Sequence, residues 1–106
     1  MPSEAAYSAE AAASAAKAGL AKEGRFVWYV YLLESDIVVG QRYIGVTADL
    51  KRRLIEHNSG KPIHTSKFAP WRIVTYVAIS DRAKAASFER YLKSGSGHAF
   101  ASKRLW

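Results

Sequence analysis

The chain has 106 residues, enough for one domain with a modest core, and its 16 lysines and arginines outnumber its nine aspartates and glutamates. It contains no cysteine, which excludes a disulfide framework and a thiolate metal site. No apolar run is long enough to span a bilayer, and no basic segment followed by an apolar run opens the chain. We therefore expect a cytoplasmic protein without a membrane partner.

The basic charge is distributed unevenly. Residues 1–24 carry a net charge of −1, whereas the rest of the chain carries +8. A compact basic domain attracts polyanions, so nucleic acid is the favoured partner. The alternative is a basic surface that serves solubility alone.

The first 24 residues form a segment of distinct composition, with ten alanines and few large apolar side chains. Alanine favours helix, but such a helix would have little apolar surface to bury. We predict a flexible or partly helical tail that ends at Gly24, followed by one folded domain over residues 25–106.

Two strands are predicted at the start of this domain. Residues 26–33 are continuously apolar and rich in aromatic and β-branched side chains, which indicates a strand covered on both faces. Alternation assigns these side chains to two faces, with Phe26, Trp28, Val30 and Leu32 on one and Val27, Tyr29, Tyr31 and Leu33 on the other. Turn signals at residues 34–36 and at Gly40 predict a hairpin to a second strand over residues 41–45.

Helices alternate with one further strand in the remainder of the chain. Thr47 is a plausible N-cap of a helix that stops at residues 58–60, and a loop containing Pro62 and Pro70 precedes a third strand over residues 71–79. Ser80 or Asp81 caps a second helix that runs to about residue 93. Residues 95–97 interrupt it, and residues 98–105 form a short last helix. The order predicts an α+β domain with a small three-stranded, mostly antiparallel sheet flanked by helices.

The first predicted helix carries two candidate functional residues. Because successive helical residues are about 100° apart, Arg53 and His57 lie on the side that carries the core leucines, whereas Arg52 and Glu56 lie on the outward side. A basic side chain at the edge of an apolar stripe is costly unless an anion is nearby, and a bound phosphate would meet that need. The alternative is an arginine whose stem runs past the leucines to solvent, beside a histidine that is hydrogen-bonded in the core.

A carboxylate and several tyrosines are the other candidates. Glu89 borders the core-facing side of the second helix, where it can bind a hard divalent cation, or alternatively form a surface ion pair with Lys93 four residues later. The strand tyrosines serve equally well as core aromatics. Tyr43 differs because it is followed closely by Gly45, where the backbone can approach a ligand.

Taken in order, five motifs resemble those of the GIY-YIG nuclease domain over residues 27–93, in particular its small standalone branch and the N-terminal catalytic domain of the excision-repair nuclease. They are Tyr29-Val30-Tyr31, Tyr43-Ile44-Gly45, Arg53 ten residues after Tyr43, the segment Glu56-His57-Asn58-Ser59-Gly60, and Glu89 within Phe88-Glu89-Arg90-Tyr91-Leu92-Lys93. Two features depart from the family pattern. Tyr29 replaces the first glycine, and no asparagine follows Asn58, whereas some members have one late in the domain.

The resemblance implies a metal-dependent endonuclease that hydrolyses phosphodiester bonds in DNA and is directed by the structure of its substrate rather than by base sequence. In this scheme Tyr43 activates the attacking water and Glu89 holds Mg²⁺ or Mn²⁺. Arg53 stabilises charge on the phosphoryl oxygens. His57 orients water or relays a proton, and Tyr31 forms hydrogen bonds within the site.

These five residues are expected to converge on one concave surface of the sheet. Basic side chains would track the phosphate backbone around it, and the candidates are Lys51, Arg52, Lys61, Lys67 and Arg72. One alternative is a nucleic-acid-binding module with little activity, or with activity that depends on a protein partner supplying substrate specificity. Another is a structural or protein-interaction domain.

Overall fold

The computed structural model describes residues 26–60 and 62–106. The predicted tail over residues 1–24 and the candidate backbone contact Lys61 lie outside the described residues. In chain order the elements are β1 (Trp28–Ser35), β2 (Arg42–Thr47), α1 (Leu50–Ser59), α2 (Ile63–Ser66), β3 (Trp71–Ile79), α3 (Arg82–Leu92) and α4 (Gly95–Arg104). This is an α+β fold, as predicted.

The sheet has three antiparallel strands in the order β2-β1-β3, so β1 is central and β2 is an edge strand. In the β1–β2 pairing Tyr31 lies opposite Gly45, and Leu33 lies opposite Tyr43. Residues directly opposite each other on antiparallel strands point to the same face of the sheet. The tyrosines of the two motifs therefore share one face.

Each face of β1 supports its own apolar cluster, as the alternation predicted. On one face Tyr29, Tyr31 and Leu33 pack with Leu50 and Leu54 of α1. On the other face Val30 and Leu32 pack with Ala85 and Leu92 of α3 and Ala101 of α4. Helix α1 thus covers one face, whereas α3 and α4 cover the opposite one, and the sheet separates the residues of α1 from those of α3.

The start of α1 differs from the prediction. Asp49, not Thr47, is the N-cap, and its carboxylate accepts a hydrogen bond of 3.1 Å from the backbone N–H of Arg52. The Thr47 hydroxyl instead accepts a bond of 3.1 Å from the Asp49 N–H, and so it holds the capping residue in place. Gly60 ends the helix with a positive φ of 90°, in agreement with the predicted stop.

The later helix boundaries agree with the prediction in part. The stretch predicted as a loop after α1 contains the single helical turn α2, whereas Asp81, one of the two predicted caps, is the N-cap of α3, which ends near residue 93 as predicted. The break that follows lies at residues 93–94 and not at residues 95–97, because residues 95–97 form the first turn of α4. Gly97 packs so closely against the carbonyl oxygen of Tyr91 that a Cβ would not fit, so this glycine permits close helix packing instead of ending a helix. None of the helices in the described ranges is long and apolar enough to cross a membrane.

Candidate active site

Four of the predicted site residues meet on the α1 face of the sheet. Tyr31 comes from β1, Tyr43 from β2, and Arg53 and His57 from α1. The ring centroids of Tyr43 and His57 are 4.8 Å apart, and that of Tyr31 is 5.9 Å from His57 and 6.2 Å from Tyr43. Tyr43 is also close enough to Arg53 to contribute to the raised pKa of the arginine. Three separate elements thus bring together a guanidinium, an imidazole and two phenols.

A chain of hydrogen bonds orders this cluster. The Thr65 hydroxyl donates to the Pro62 carbonyl at 3.2 Å, so its oxygen accepts the proton of His57 Nδ1 at 3.0 Å. His57 Nε2 is then the unprotonated nitrogen, and it accepts from the Tyr31 hydroxyl at 3.0 Å. The Tyr31 oxygen in turn accepts from Nε of Arg53 at 3.3 Å. Thr65, His57 and Tyr31 therefore each donate one hydrogen bond and accept another, and the donor and acceptor roles are consistent along the whole chain.

Burial determines the protonation states of the two inner groups. His57 has no exposed surface, and its burial, reinforced by the positive charge of Arg53, lowers the pKa of His57 to about 4. Burial also raises the pKa of Tyr31 to about 12, although the hydrogen bond from Arg53 opposes this shift. At neutral pH the site therefore contains a neutral imidazole and a protonated Tyr31 phenol. A histidine with no exposed surface acts on a ligand through its neighbours.

Arg53 carries the fixed positive charge of the site. Burial by itself would lower the pKa of Arg53, but hydrogen bonds to Glu56, Tyr31 and Tyr43 outweigh it and raise the pKa above the ordinary value. Its Nη1 lies 2.8 Å from Oε1 of Glu56. The side chain is one-third exposed and lines a cavity of about 240 Å³ together with Arg52 and Glu56. Arg53 is thus anchored on its inner side and accessible on its outer side, as an anion-binding group must be.

Gly45 makes room for this arrangement. A Cβ on Gly45 would lie 2.5 Å from Oη and 2.7 Å from Cζ of Tyr31, well inside van der Waals contact. The glycine of the second motif is therefore needed because the tyrosine of the first motif lies directly across it.

Of the five residues predicted to converge, Glu89 is the one that shares no hydrogen bond or ion pair with the described residues of this cluster. It lies on α3, which packs on the opposite face of the sheet, and its carboxylate forms an ion pair with Lys93. The helical phase agrees with the prediction, since the side chain is only 15% exposed. The one-surface arrangement expected from the sequence therefore includes four of the five residues, and the alternative of an ion pair with Lys93 is present.

The residues available for a divalent cation are few. The described part of the chain has no group of three or more histidine, aspartate and glutamate side chains that could hold a metal ion. A single carboxylate such as Glu89 suits Mg²⁺ when water and substrate phosphate supply the other oxygen ligands. The donor chemistry thus fits a cation shared with substrate and not a cage built by the protein alone.

The candidate backbone-tracking residues fall into two groups. Lys51, Arg52 and Lys67 are exposed, and Arg52 has 77% of its side chain accessible, with Nε 3.4 Å from Glu56. Arg72 differs, because it binds Glu34 at 2.9 Å and Asp36 at 2.8 Å. Two carboxylates already neutralise its charge, and Arg72 therefore ties β3 to the end of β1.

Two residues of the site were missed in the sequence. Helical periodicity assigned Glu56 to the outward side of α1, but its long side chain reaches Arg53, three residues earlier. Thr65 lies in the stretch predicted as a loop, and nothing in its sequence context marks it as the partner of His57. Asn58, within the fourth motif, has a structural role: it bonds the backbone of Trp71 at the start of β3.

Comparison with known proteins identifies the family to which this chain belongs. The GIY-YIG catalytic domain family matches residues 27–101. A UPF0213 protein of Cupriavidus pinatubonensis is 34% identical over 80 residues, covering 72% of this chain and 87% of that protein. A homologue of the structure-specific endonuclease subunit SLX1 from Giardia intestinalis is 36% identical, covering 62% of this chain but only 20% of its own length.

A solution structure of the UPF0213 protein BH0048 from Bacillus halodurans matches with a TM-score of 0.46 and 29% identity, covering 74% of this chain and 86% of that one. The family match over residues 27–101 defines a domain of the nuclease type. The chain belongs to the GIY-YIG family, as its motifs predicted.

Proposed function

We propose that this protein is a divalent-metal-dependent endonuclease that hydrolyses phosphodiester bonds in DNA and is directed by substrate structure rather than base sequence. The observation that carries the proposal is the environment of Arg53, which is held by Tyr31 and Glu56 yet one-third exposed beside Tyr43. A fixed, permanently charged guanidinium suits the charge that develops on phosphoryl oxygens during hydrolysis.

The other residues support this group. Tyr43 lies at the rim and would activate the attacking water, a step in which a nearby positive charge stabilises the phenolate. Arg53 provides such a charge. His57 and Tyr31 position Arg53 from behind, because His57 is buried and neutral and bonds the Tyr31 hydroxyl.

Glu89 would hold Mg²⁺ or Mn²⁺, and the cation would supply Lewis-acid stabilisation of the phosphate and leaving oxygen. Glu89 lies on α3, which covers the face of the sheet opposite α1, and β2 is an edge strand of that sheet. A cavity at β2 is lined by both Tyr43 and Lys93, the ion-pair partner of Glu89. A DNA strand that crosses the edge of β2 would therefore meet Arg53 from one side and Glu89 from the other.

A nucleic-acid-binding module with little or partner-dependent activity is the second candidate function. The ion pair of Glu89 with Lys93 favours it, because a carboxylate paired with a lysine is less available to a cation. A partner that supplies substrate specificity would then complete the site.

One experiment separates these functions. Purified protein is incubated with single-stranded, nicked, flapped and branched DNA in Mg²⁺, in Mn²⁺ and in chelator. Cleavage that requires the metal and varies with substrate structure supports the endonuclease. Binding to the same substrates without cleavage supports the binding module.

A further inference from the structure

The cavity at the outer edge of β2 has the chemistry of a nucleotide subsite. It has a volume of about 460 Å³, within the range of small-molecule sites. Its walls combine three basic side chains with two aromatic ones: Arg42, Lys93, His98, Tyr43 and Trp106. The cavity shares Tyr43 with the candidate active site, so a ligand bound here would lie next to the reacting groups.

Arg42 and Trp106 form a cation–π pair at this cavity, the Arg42–Trp106 platform. The guanidinium carbon of Arg42 lies over the ring of Trp106, 4.6 Å from its centroid. Guanidinium and indole are both flat groups on which nucleobases can stack.

The hydrogen-bonding capacity of Arg42 is not consumed by its acidic neighbour. Its Nε is 3.6 Å from Oε2 of Glu34, a loose ion pair, whereas the other carboxylate oxygen of Glu34 binds Arg72 at 2.9 Å. Arg42 can therefore turn to a phosphate without leaving Glu34 unpaired.

We propose that this cavity seats one nucleotide of the substrate strand, next to the phosphodiester that is cleaved. Its phosphate contacts Arg42, Lys93 and His98, and its base stacks on the Arg42–Trp106 platform. The inference rests on the proposed function and deepens it, because it identifies where the strand lies beside Tyr43.

The test separates base stacking from phosphate binding. A fluorescein-labelled single-stranded oligonucleotide and a matched series in which successive bases are replaced by abasic sites are titrated in chelator, with anisotropy as the readout. For wild type, removal of the seated base is expected to weaken binding about tenfold. In Arg42→Lys, which keeps the charge but loses the plane, the same removal is expected to change affinity less than about twofold.

Arg82 offers a matched control. Its guanidinium carbon lies 5.1 Å from the ring of Trp28, and Arg82 does not line the cavity. Arg82→Lys is expected to retain the full dependence on the base, whereas Trp106→Ala, checked for folding by circular dichroism, is expected to lose it. His98→Ala, at an exposed position, is expected to weaken binding of the intact and abasic oligonucleotides equally, as loss of a phosphate contact should.

Three results would overturn the subsite. The affinity of the wild-type protein could be the same for the intact strand and for every abasic strand. Arg42→Lys and Arg82→Lys could change affinity equally, or Arg42→Lys could weaken binding of intact and abasic strands by the same factor. Cleavage assays run in parallel distinguish the two proposals. Metal-dependent cleavage without base-dependent binding would support the endonuclease and contradict the subsite. Base-dependent binding without cleavage of any substrate would support the subsite and contradict the endonuclease.

Discussion

Nδ1 of His57 lies 3.0 Å from Oγ1 of Thr65, and both side chains are closed off from solvent. Because the Thr65 hydroxyl donates its own proton to the Pro62 carbonyl, the threonine oxygen selects the imidazole tautomer with the proton on Nδ1. That tautomer leaves Nε2 to accept from Tyr31, and the oxygen of Tyr31 to accept from Arg53. Thr65 thus positions the guanidinium from the far end of the network.

Thr65→Val is expected to lower both stability and cleavage rate. The buried Nδ1–H loses its acceptor, which costs about 1–3 kcal/mol of the free energy of unfolding. Denaturant unfolding measures this cost, and ¹⁵N NMR of the imidazole reports the tautomer, which should no longer be held with its proton on Nδ1. Thr65→Ser should restore both readouts. Thr75→Val is the control: it removes a hydroxyl that bonds the Leu105 carbonyl and should leave the His57 tautomer as in wild type. An unchanged tautomer in Thr65→Val would refute the role of Thr65 in selecting it.

Acid is expected to destabilise the protein through His57. The pKa of His57 is lowered to about 4 in the fold, against about 6.5 in the unfolded chain, so the unfolded state binds the proton more tightly. The contribution is fully present above pH 6.5 and is lost as the pH falls towards 4, by about 3 kcal/mol in total.

An NMR titration of the histidine ring protons checks this directly. The groups around the imidazole are Tyr31, Tyr43, Arg53, Glu56 and His64, and Arg53 and His64 disfavour its protonation whereas Glu56 favours it. A midpoint for His57 near 6.5 would contradict the buried, neutral imidazole.

Gly45→Ala is expected to destabilise the domain and disconnect Tyr31. The added methyl would meet the phenol of Tyr31, and overpacking of this kind costs about 1–3 kcal/mol. Thermal or denaturant unfolding measures the loss. Gly95→Ala is the control, because a Cβ there meets nothing within 4 Å and alanine favours helix. Equal stability of the two variants would show that the space over Gly45 is not limiting.

Lys93→Met is expected to strengthen Mn²⁺ binding about fivefold, because removing a positive charge beside a carboxylate is worth about 1 kcal/mol even in water. The positive charge in question is that of Lys93, which forms an ion pair with the Glu89 carboxylate. Electron paramagnetic resonance of free Mn²⁺ measures this affinity without any cleavage. Glu89→Gln should weaken binding, and Lys103→Met, at an exposed position on α4, should have little effect. Mn²⁺ affinity that is unchanged in both the Lys93 and the Glu89 variants would remove Glu89 as the ligand.

The two faces of β1 could be predicted because its apolar side chains alternate and because a central strand is covered on both sides. Helical phase likewise located Arg53, His57 and Glu89 at the borders of their core-facing sides. The angular position of a residue around its helix does not show, however, which face of the sheet that helix covers. It therefore could not show that α3, which contains Glu89, packs on the face opposite α1. That information lies in the long-range packing of Ala85 and Leu92.

Other features escaped prediction for a local reason. Thr47 and Asp49 are both good caps, and the choice depended on a hydrogen bond between them. Thr65 became the partner of His57 through a one-turn helix whose short sequence has no distinctive periodicity. Glu56 reached Arg53 because long side chains extend around the flank of a helix, which an angle measured at Cα does not capture.

Adjacent arginines provide the most direct test of the proposed function. Arg53 is anchored by Tyr31 and Glu56, whereas Arg52 is largely exposed on the outer side of α1. The single-turnover rate of DNA cleavage and the affinity for DNA are measured for Arg53→Ala, Arg53→Lys and Arg52→Ala, each confirmed as folded. Arg53→Ala is expected to lower the rate about 100- to 1,000-fold with little change in affinity. Arg53→Lys should recover little of that loss, since an ammonium cannot reproduce the fork that bonds Tyr31 and Glu56.

Arg52→Ala should leave the single-turnover rate close to that of wild type and weaken DNA binding modestly, with no dependence on base sequence. Equal losses of cleavage rate in folded Arg53→Ala and Arg52→Ala would contradict the assignment of Arg53 as the group that stabilises the reacting phosphate.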